Sequence, residues 1–336
     1  MQDRLVFVIG SPRSGTTLLT RMLGGHSKIL DGPEAHLITP LAHLGYFERV
    51  REAPYDPIVA ERGVREFVKR LPGQAADYMD ACRAYTDHLY RRLLEAEPGK
   101  ELLIDKTPAY ALVLPFLAQL YPRARYVVLT RTPLAIFASV ANSFFDGDFE
   151  VANRHNPILD RYVPAIARFL REAPCPLIQV HYEQLVADPE RELGAIFDFL
   201  GVARELGAVE YGARKQDGET DRALGDPIGI TQHQRPVTDS VDTWVAEVAA
   251  NPGRLALCRE ILAGLADADL ETWGYDRAEI LASLAAAEGG DRHARPGLSR
   301  YTLERKLLVQ ARRMSQLGAV RRLLVALRRA LDVLLR

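Results

Sequence analysis

A glycine-rich segment near the start of the chain has the residue types needed to bind an anion. Residues 10–17 read Gly-Ser-Pro-Arg-Ser-Gly-Thr-Thr, between the apolar run of residues 5–9 and a helical pattern that begins at Thr16. Glycines allow a tight turn, so backbone N–H groups and the positive end of a helix can converge on one phosphate. Because strand, loop and helix occur in the order that this mechanism requires, the segment predicts a phosphate-binding loop rather than an ordinary turn.

The loop departs from the loop of ATP-binding proteins at one position. The nucleoside-triphosphate pattern requires lysine where this sequence has Thr16, and kinases use that lysine together with Mg²⁺ to neutralise the β and γ phosphates. Here the cation, Arg13, lies inside the loop. A single 5′-phosphosulfate carries less charge and needs no metal in principle, so the pattern favours a sulfonate donor. A P-loop kinase is the alternative enzyme, and a nucleotide-binding scaffold without catalysis is the alternative outside enzymes.

Three further charged residues stand where a ligand could meet them. Lys106 follows the strand pattern of residues 102–105, and Arg131 follows that of residues 125–130. The carboxyl ends of parallel strands form the edge at which open α/β sheets bind ligands, and a guanidinium suits bidentate phosphate contacts. Glu34 follows the first helical pattern and could act as a base if its loop desolvates it. Each of the three could instead be an ordinary solvated side chain.

The elements that would position these residues alternate between strands and helices. Apolar runs predict strands over residues 5–9, 102–105, 125–130 and 177–181, and helical patterns lie over residues 61–71, 75–96, 109–120, 133–144, 160–172 and 189–200. This order predicts an α/β fold with a central parallel sheet and helices on both faces. Residues 213–239 are polar and rich in Gly and Pro, which predicts a long functional loop. We expect one domain over residues 1–288 and a helical extension over 289–336.

Residues 12–19, Pro-Arg-Ser-Gly-Thr-Thr-Leu-Leu, resemble the 5′-phosphosulfate loop of the sulfotransferases that use 3′-phosphoadenosine 5′-phosphosulfate (PAPS). The continuation through Asp-Gly-Pro-Glu at residues 31–34 looks most like the tyrosylprotein sulfotransferases and their bacterial relatives. The resemblance implies the P-loop-type sulfotransferase fold, PAPS as cofactor, 3′,5′-ADP (PAP) as product, and no metal. It implies that Arg13 contacts the sulfonate and that the 5′ phosphate is held by Ser14, Gly15, Thr16 and Thr17.

Other positions match the family's remaining nucleotide contacts. The resemblance implies that Arg131 and Ser139, eight residues apart, recognise the 3′ phosphate. Tyr182 opens a Tyr-x-x-Leu segment whose tyrosine lies near the nucleotide in this family. Arg235 matches the cation of a C-terminal basic-Pro-Val element that precedes Trp244. The family usually has lysine at that cation, so the match at Arg235 is looser.

Sulfonate transfer requires a base at the acceptor hydroxyl and a cation at the leaving oxygen. By the resemblance Glu34 is the base and Lys106 the cation, with Arg13 at the sulfonate. His36 is the rival base, because imidazole is the commonest general base and lies two residues further on. His26 is expected to pack at the helix end. The predicted reaction is in-line displacement that gives a sulfate ester, with a small molecule or metabolite as acceptor and protein tyrosine as the alternative.

Cysteine content and the absence of leader patterns predict the compartment. Three widely spaced cysteines, an odd number, argue against a disulfide framework and a cysteine-rich metal site. The chain starts directly in a strand pattern without a signal peptide, and no apolar run approaches the roughly 18 residues of a membrane span. We therefore expect a cytoplasmic protein.

The end of the chain is strongly basic, although the net charge of the whole chain is −1. Residues 292–336 carry 12 Lys and Arg against two acidic residues, a net charge of +10 that leaves −11 for residues 1–291. Basic pairs and leucines on opposite faces predict an amphipathic helix over about residues 299–335. Self-association or packing on the body is expected of residues 300–336, with an anionic membrane surface or acidic carrier protein as the alternative. The acidic body disfavours nucleic acid as a partner.

Overall fold

Five parallel strands form the centre of the computed structural model, which describes residues 1–47, 57–155, 158–213, 234–238 and 241–287. The strands are β1 (Leu5–Ile9), β2 (Ile29–Asp31), β3 (Leu102–Asp105), β4 (Arg125–Thr130) and β5 (Leu177–His181). They lie in the order β2-β3-β1-β4-β5, and every neighbouring pair is parallel. The predicted α/β class and the bounds of the four predicted strands are confirmed. The sequence patterns missed β2, which has only three residues.

Helices connect the strands. Their bounds are α1 (Thr16–Gly24), α2 (Ile38–Ala42), α3 (Pro57–Val68), α4 (Ala75–Glu95), α5 (Leu114–Leu120), α6 (Pro133–Phe145), α7 (Phe149–His155), α8 (Val163–Glu172), α9 (Tyr182–Ala187), α10 (Pro189–Leu200), α11 (Thr243–Ala249), α12 (Pro252–Gly264), α13 (Asp267–Trp273) and α14 (Arg277–Ala286). Short 3₁₀ segments lie at Gln2–Arg4, Pro108–Leu112, Leu206–Val209 and Tyr211–Ala213, and a π-helical turn lies at Ile158–Tyr162.

Two predicted helices are divided in the structure. The helix predicted over residues 109–120 is a 3₁₀ segment followed by α5, because Pro115 has no N–H to donate and its ring would clash with the preceding turn of a continuous helix. The helix predicted over residues 160–172 begins as the π-helical turn, and the regular helix α8 starts only at Val163, with Pro164 in its first turn.

Alternate residues of β1 face opposite sides of the sheet. Val6 and Val8 belong to a buried cluster with residues of α1, α9 and α10. Phe7 faces the other side, where its ring lies 5.5 Å from that of Tyr121 and 5.4 Å from that of Tyr126. Burial on both faces explains why the strand reads as a continuous apolar run, as parallel strands do.

The chain divides into two compact units. The first contains the described residues within 1–133, 158–241 and 265–277 and holds the sheet. The second contains the described residues within 134–157, 242–264 and 278–287. Within it, Arg254 stacks on Phe149 at 4.6 Å, pairs with Glu247 at 2.9 Å and donates to the Gly147 carbonyl at 3.0 Å. The expected extension 289–336 lies outside the described residues, so the boundary after residue 288 stays a prediction.

All five strands end at the same edge of the sheet, because all five are parallel. From one side of the sheet to the other, that edge carries Glu34 after β2, Lys106 after β3, the loop of residues 10–17 after β1, Arg131 after β4 and Tyr182 after β5. After β1 the chain continues to β2 on one side of the sheet, and after β4 it continues to β5 on the other side. In open α/β sheets, ligands bind at the carboxyl ends of the strands where the order reverses in this way. The fold therefore brings Glu34, Lys106, Arg131, Tyr182 and the loop to one edge.

Candidate active site

The loop of residues 10–17 follows a path that requires its two glycines. A β-carbon on Gly10 would lie 2.5 Å from Thr16 Cγ2 and 2.7 Å from Ser14 Oγ. Gly15 has φ +98°, and a β-carbon there would lie 2.5 Å from Cδ2 of Tyr182. Arg13 also has a left-handed φ, of 69°, a strained conformation of the kind found at binding sites. The loop is thus a tightly closed turn with no room for side chains at Gly10 and Gly15.

Helix α1 begins directly after this turn and can receive an anion. No described side chain caps its N-terminus, where Gly15 stands as N-cap. The first N–H groups of the helix can therefore serve a phosphate, as predicted for Thr16 and Thr17. Ser14 differs from the prediction in one respect. Its N–H and its hydroxyl both donate to the Ser11 carbonyl, at 3.2 and 2.8 Å, so it shapes the loop, and its contact with phosphate stays a prediction.

Lys106 joins the predicted base to the loop. Its ammonium donates one hydrogen bond to Oε1 of Glu34 and another to Thr17 Oγ1 at 3.3 Å. The side chains of Lys106 and Glu34 are 6% and 12% exposed, so the pair is largely removed from water. An ammonium between a carboxylate and the loop of residues 10–17 can neutralise the carboxylate and any anion that the loop binds. The structure brings these three predicted residues together.

His36, the rival base, lies beside Glu34 but nearer to solvent. Its Nε2 lies 4.0 Å from Glu34 Oε2, and its side chain is 47% exposed. Its backbone has a left-handed φ of 51°. His26, by contrast, is fully buried, with Nε2 donating to the Ala203 carbonyl at 2.8 Å and Nδ1 accepting from the Lys28 N–H at 3.0 Å. The packing role expected for His26 is confirmed.

Arg131 and Tyr182 lie against the loop and against each other. Arg131 Nη1 donates to the Arg13 carbonyl at 3.2 Å, and its guanidinium lies 4.2 Å from the ring centroid of Tyr182. The same ring occupies the space beside Gly15 that a side chain would need. Loop, arginine and tyrosine therefore hold one another in place at the carboxyl ends of β1, β4 and β5.

Ser139 and Arg235 are the two remaining predicted phosphate contacts. Ser139 is a partly buried residue of α6 in the second unit. Arg235 is half-exposed and pairs with Glu190 at 3.0 Å and Glu210 at 3.3 Å, while its carbonyl accepts from the Tyr211 hydroxyl at 3.3 Å. Most of the predicted functional loop, residues 214–233, lies outside the described residues. The phosphate contacts of Ser139 and Arg235 stay predictions.

The sequence reasoning missed the hydrogen bonds that hold Arg131 and Thr132 in place. The Trp273 indole N–H donates to the Arg131 carbonyl at 2.8 Å. Glu183 accepts from the N–H and hydroxyl of Thr132, at 3.1 and 2.8 Å, and from the Tyr275 hydroxyl at 2.5 Å. Burial and the neighbouring Glu183 carboxylate raise the pKa of Tyr275 well above its usual value, so this hydroxyl stays a donor. Trp273 and Tyr275 lie about 140 residues after Arg131, and composition alone gave no signal that they meet it.

The sequence reasoning also missed the environment of Asp105, the residue before Lys106. Asp105 is 2% exposed and accepts from the hydroxyls of Tyr90, Tyr110 and Thr107. Burial raises the pKa of Asp105, and also raises those of Tyr90 and Tyr110. The three hydroxyls act in the opposite direction on Asp105, because they stabilise its charged form.

Among the described residues, no group of three or more His, Cys, Asp and Glu side chains is arranged to hold a metal ion. None of the helices in that part of the chain is both long and apolar enough to cross a membrane.

Comparison with known proteins gives consistent matches. Residues 6–205, more than half of the chain, match the model described as the Sulfotransferase family. Nodulation protein NoeE of Sinorhizobium fredii (strain NBRC 101917 / NGR234) is 30% identical over 265 residues, which are 73% of this chain and 60% of that protein. Protein-tyrosine sulfotransferase 1 of Danio rerio is 24% identical over 201 residues, which are 59% of this chain and 53% of that protein. The chain thus spans less than two thirds of either relative.

A solved structure shares the fold. The sulfotransferase domain from the Synechococcus PCC 7002 olefin synthase superimposes with a TM-score of 0.51, over 81% of this chain and 94% of that domain, at 24% identity.

Proposed function

The chain belongs to the Sulfotransferase family, and from that premise we propose that it transfers the sulfonate group of PAPS to an acceptor hydroxyl. The family resemblance seen in residues 12–34 is confirmed, whereas the donor and the acceptor are the content of the proposal. The observation that carries it is the position of Lys106, which contacts Glu34 on one side and Thr17 of the loop on the other. A base and an anion-binding loop are thereby joined through one buried cation.

The residues at the sheet edge fit the nucleotide PAPS. Bound PAPS would supply the sulfonate and a phosphate leaving group. The loop between Gly10 and Thr17 offers a turn without side chains and the N-terminus of α1 for the 5′ phosphate, with Arg13 for the sulfonate. Arg131 offers a guanidinium at the neighbouring strand end for the 3′ phosphate, and it is held there by the ring of Tyr182. Ser139 and Arg235 are proposed to complete the phosphate contacts.

Glu34 and Lys106 divide the chemistry. Glu34 takes the proton of the acceptor hydroxyl while the acceptor oxygen bonds to sulfur. Lys106 stabilises the negative charge on the phosphate oxygen as its bond to sulfur breaks. The contact between the two side chains places the cation beside both the base and the loop, so one bound substrate can meet both groups. The products are a sulfate ester and PAP.

The acceptor is proposed to be a small molecule or metabolite. Protein tyrosine is a second candidate, favoured by the similarity to protein-tyrosine sulfotransferase 1 of Danio rerio. Turnover of radiolabelled PAPS with simple phenols and alcohols, and separately with tyrosine-containing peptides, distinguishes the two. The three cysteines are buried free thiols, which supports the proposed cytoplasmic location.

Calorimetric titration tests the donor. PAP is titrated into the protein in the presence of EDTA, with ATP, ADP and adenosine 5′-phosphosulfate as comparison ligands. We expect PAP to bind far more tightly than the others without metal. Preferential binding of ATP, or a requirement for Mg²⁺, would overturn the sulfotransferase proposal in favour of a P-loop kinase.

A further inference from the structure

A buried carboxylate directly precedes Lys106, one member of the proposed catalytic pair, in the chain. Asp105 is the last residue of β3, and the next residue is Lys106. The Tyr90 and Tyr110 hydroxyls donate to Asp105 Oδ2 at 2.5 and 3.0 Å, and the Thr107 hydroxyl donates to Oδ1 at 3.1 Å. A buried charge is costly unless hydrogen bonds satisfy it. Three hydroxyls supply that satisfaction, and the roles proposed for Glu34 and Lys106 leave Asp105 without a part in the chemistry.

Two of these hydroxyls make a second hydrogen bond. Thr107 Oγ1 accepts from the N–H of His36 at 3.4 Å, and the Tyr110 hydroxyl accepts from the N–H of Ile38 at 3.3 Å. Because each hydroxyl donates its hydrogen to Asp105, its oxygen lone pairs are left to accept from these N–H groups. The bonds are long, but donation to a carboxylate polarises a hydroxyl and strengthens it as an acceptor.

The segment held in this way carries Glu34. It leaves the sheet after Asp31 of β2, which pairs with Ile104 of β3, and it enters α2 at Ile38. Between these ends His36 has a left-handed backbone, a conformation that persists only where surrounding contacts enforce it. The two anchored N–H groups belong to His36 and Ile38, two and four residues after Glu34.

We propose that Asp105 is a positioning residue, which acts through the hydroxyls of Thr107 and Tyr110 to hold the segment of residues 34–38 so that Glu34 lies against Lys106. The proposal rests on the proposed function, in which Glu34 is the base. The proposal assigns different roles to two tyrosines that both donate to Asp105 Oδ2. Tyr110 bonds both Asp105 and the Glu34 segment, whereas Tyr90 bonds Asp105 and reaches that segment through no hydrogen bond recorded among the described residues.

The two tyrosines provide a matched pair of variants. Tyr110→Phe and Tyr90→Phe each remove one hydroxyl donor from the same oxygen of Asp105, so both should lower the melting temperature. Only Tyr110→Phe also frees the Ile38 N–H. We expect kcat to fall about 5- to 10-fold in Tyr110→Phe, as loss of one hydrogen bond permits, and to stay within about 2-fold of wild type in Tyr90→Phe. PAP affinity, measured by calorimetry, should be unchanged in both, because neither tyrosine belongs to the phosphate-binding loop.

Thr107 provides an independent test if a tyrosine variant fails to fold. Thr107→Val removes the hydroxyl at nearly constant shape, and Thr107→Ser retains it. We expect Thr107→Val to lower kcat with unchanged PAP affinity, and Thr107→Ser to restore most of the lost rate. Equal kcat values for the two tyrosine variants, or for the two threonine variants, would show that the Asp105 cluster only stabilises the fold and would overturn the proposal.

Failure of the proposed function has a different signature. Glu34→Gln should lower kcat at least about 100-fold while PAP still binds. If Glu34→Gln turned over at the wild-type rate, the base assignment would fall, and the inference about Asp105 with it. If Glu34→Gln is inactive and the matched variants are indistinguishable, the inference about Asp105 alone is refuted.

Discussion

Replacement of Arg131 by alanine distinguishes two roles of this residue, which are recognition of the 3′ phosphate and support of the loop and Tyr182. The side chain is buried, donates to the Arg13 carbonyl at 3.2 Å and stacks on Tyr182 at 4.2 Å. Its removal deletes a cation as well as these two contacts. The lost contacts loosen the loop for any nucleotide, whereas the lost cation weakens most the binding of a ligand that carries a 3′ phosphate.

The magnitude follows from the strength of charge-assisted hydrogen bonds. A bond between a guanidinium and a phosphate contributes about 1.5–3 kcal/mol, which corresponds to roughly 10- to 100-fold in affinity at 1.4 kcal/mol per factor of ten. We therefore expect Arg131→Ala to weaken PAP binding roughly 10- to 100-fold more than binding of adenosine 5′-monophosphate, which lacks the 3′ phosphate. Calorimetric titration of both ligands into both proteins gives this difference directly.

The same strand supplies the control. Arg125 begins β4 at the opposite edge of the sheet and donates to the Asp3 carbonyl at 3.2 Å. Arg125→Ala removes the same charge from the same strand and should leave PAP affinity within about 2-fold of wild type. An Arg131→Ala protein that loses affinity for both nucleotides equally would show that Arg131 only supports the loop. Unchanged PAP affinity would refute the 3′-phosphate assignment outright.

Three other perturbations have defined outcomes. Glu34→Gln should lower kcat about 10²- to 10⁴-fold, as loss of a general base does, and the amide oxygen can still accept from Lys106; wild-type turnover would point to another base. Burial lowers the pKa of His181 below its ordinary 6.5. As the pH falls, this histidine therefore takes up a proton in the unfolded chain before it does so in the folded protein. The free energy of unfolding should consequently decrease as the pH drops below 6.5. Denaturant midpoints at pH 7.5 and 5.5 should therefore differ less for His181→Gln than for wild type, and an equal difference would contradict this origin. Gly15→Ala should destabilise the protein by roughly 2–4 kcal/mol, because the φ of +98° is left-handed and the new methyl group meets the Tyr182 ring; an unchanged melting temperature would show that this ring yields freely.

The parallel sheet explains why much of the site could be predicted. Residues that follow different parallel strands meet at one edge whatever the details of packing. Lys106 and Arg131 were therefore identifiable from the strand patterns before them. The loop of residues 10–17 was identifiable because its chemistry is local: glycines, a strand before it and a helix after it.

Other features depend on contacts between distant parts of the chain. Tyr90 lies within a helical pattern, where its aromatic side chain is indistinguishable from an ordinary core residue, and nothing in its spacing indicates a bond to Asp105. The same holds for Trp273 behind Arg131. The strand β2 was missed because three residues are too few to show a period.

The sequence by itself determined the fold class, the loop and the strand-end cations, because each depends on local pattern and on the parallel order of the strands. Only the tertiary structure decided that Lys106 pairs with Glu34 and that Asp105 anchors the segment carrying Glu34. Those contacts join side chains 72 residues apart and hydroxyls from separate elements. Their geometry is fixed by how β2, β3 and α4 pack together, and no periodicity along the chain encodes it.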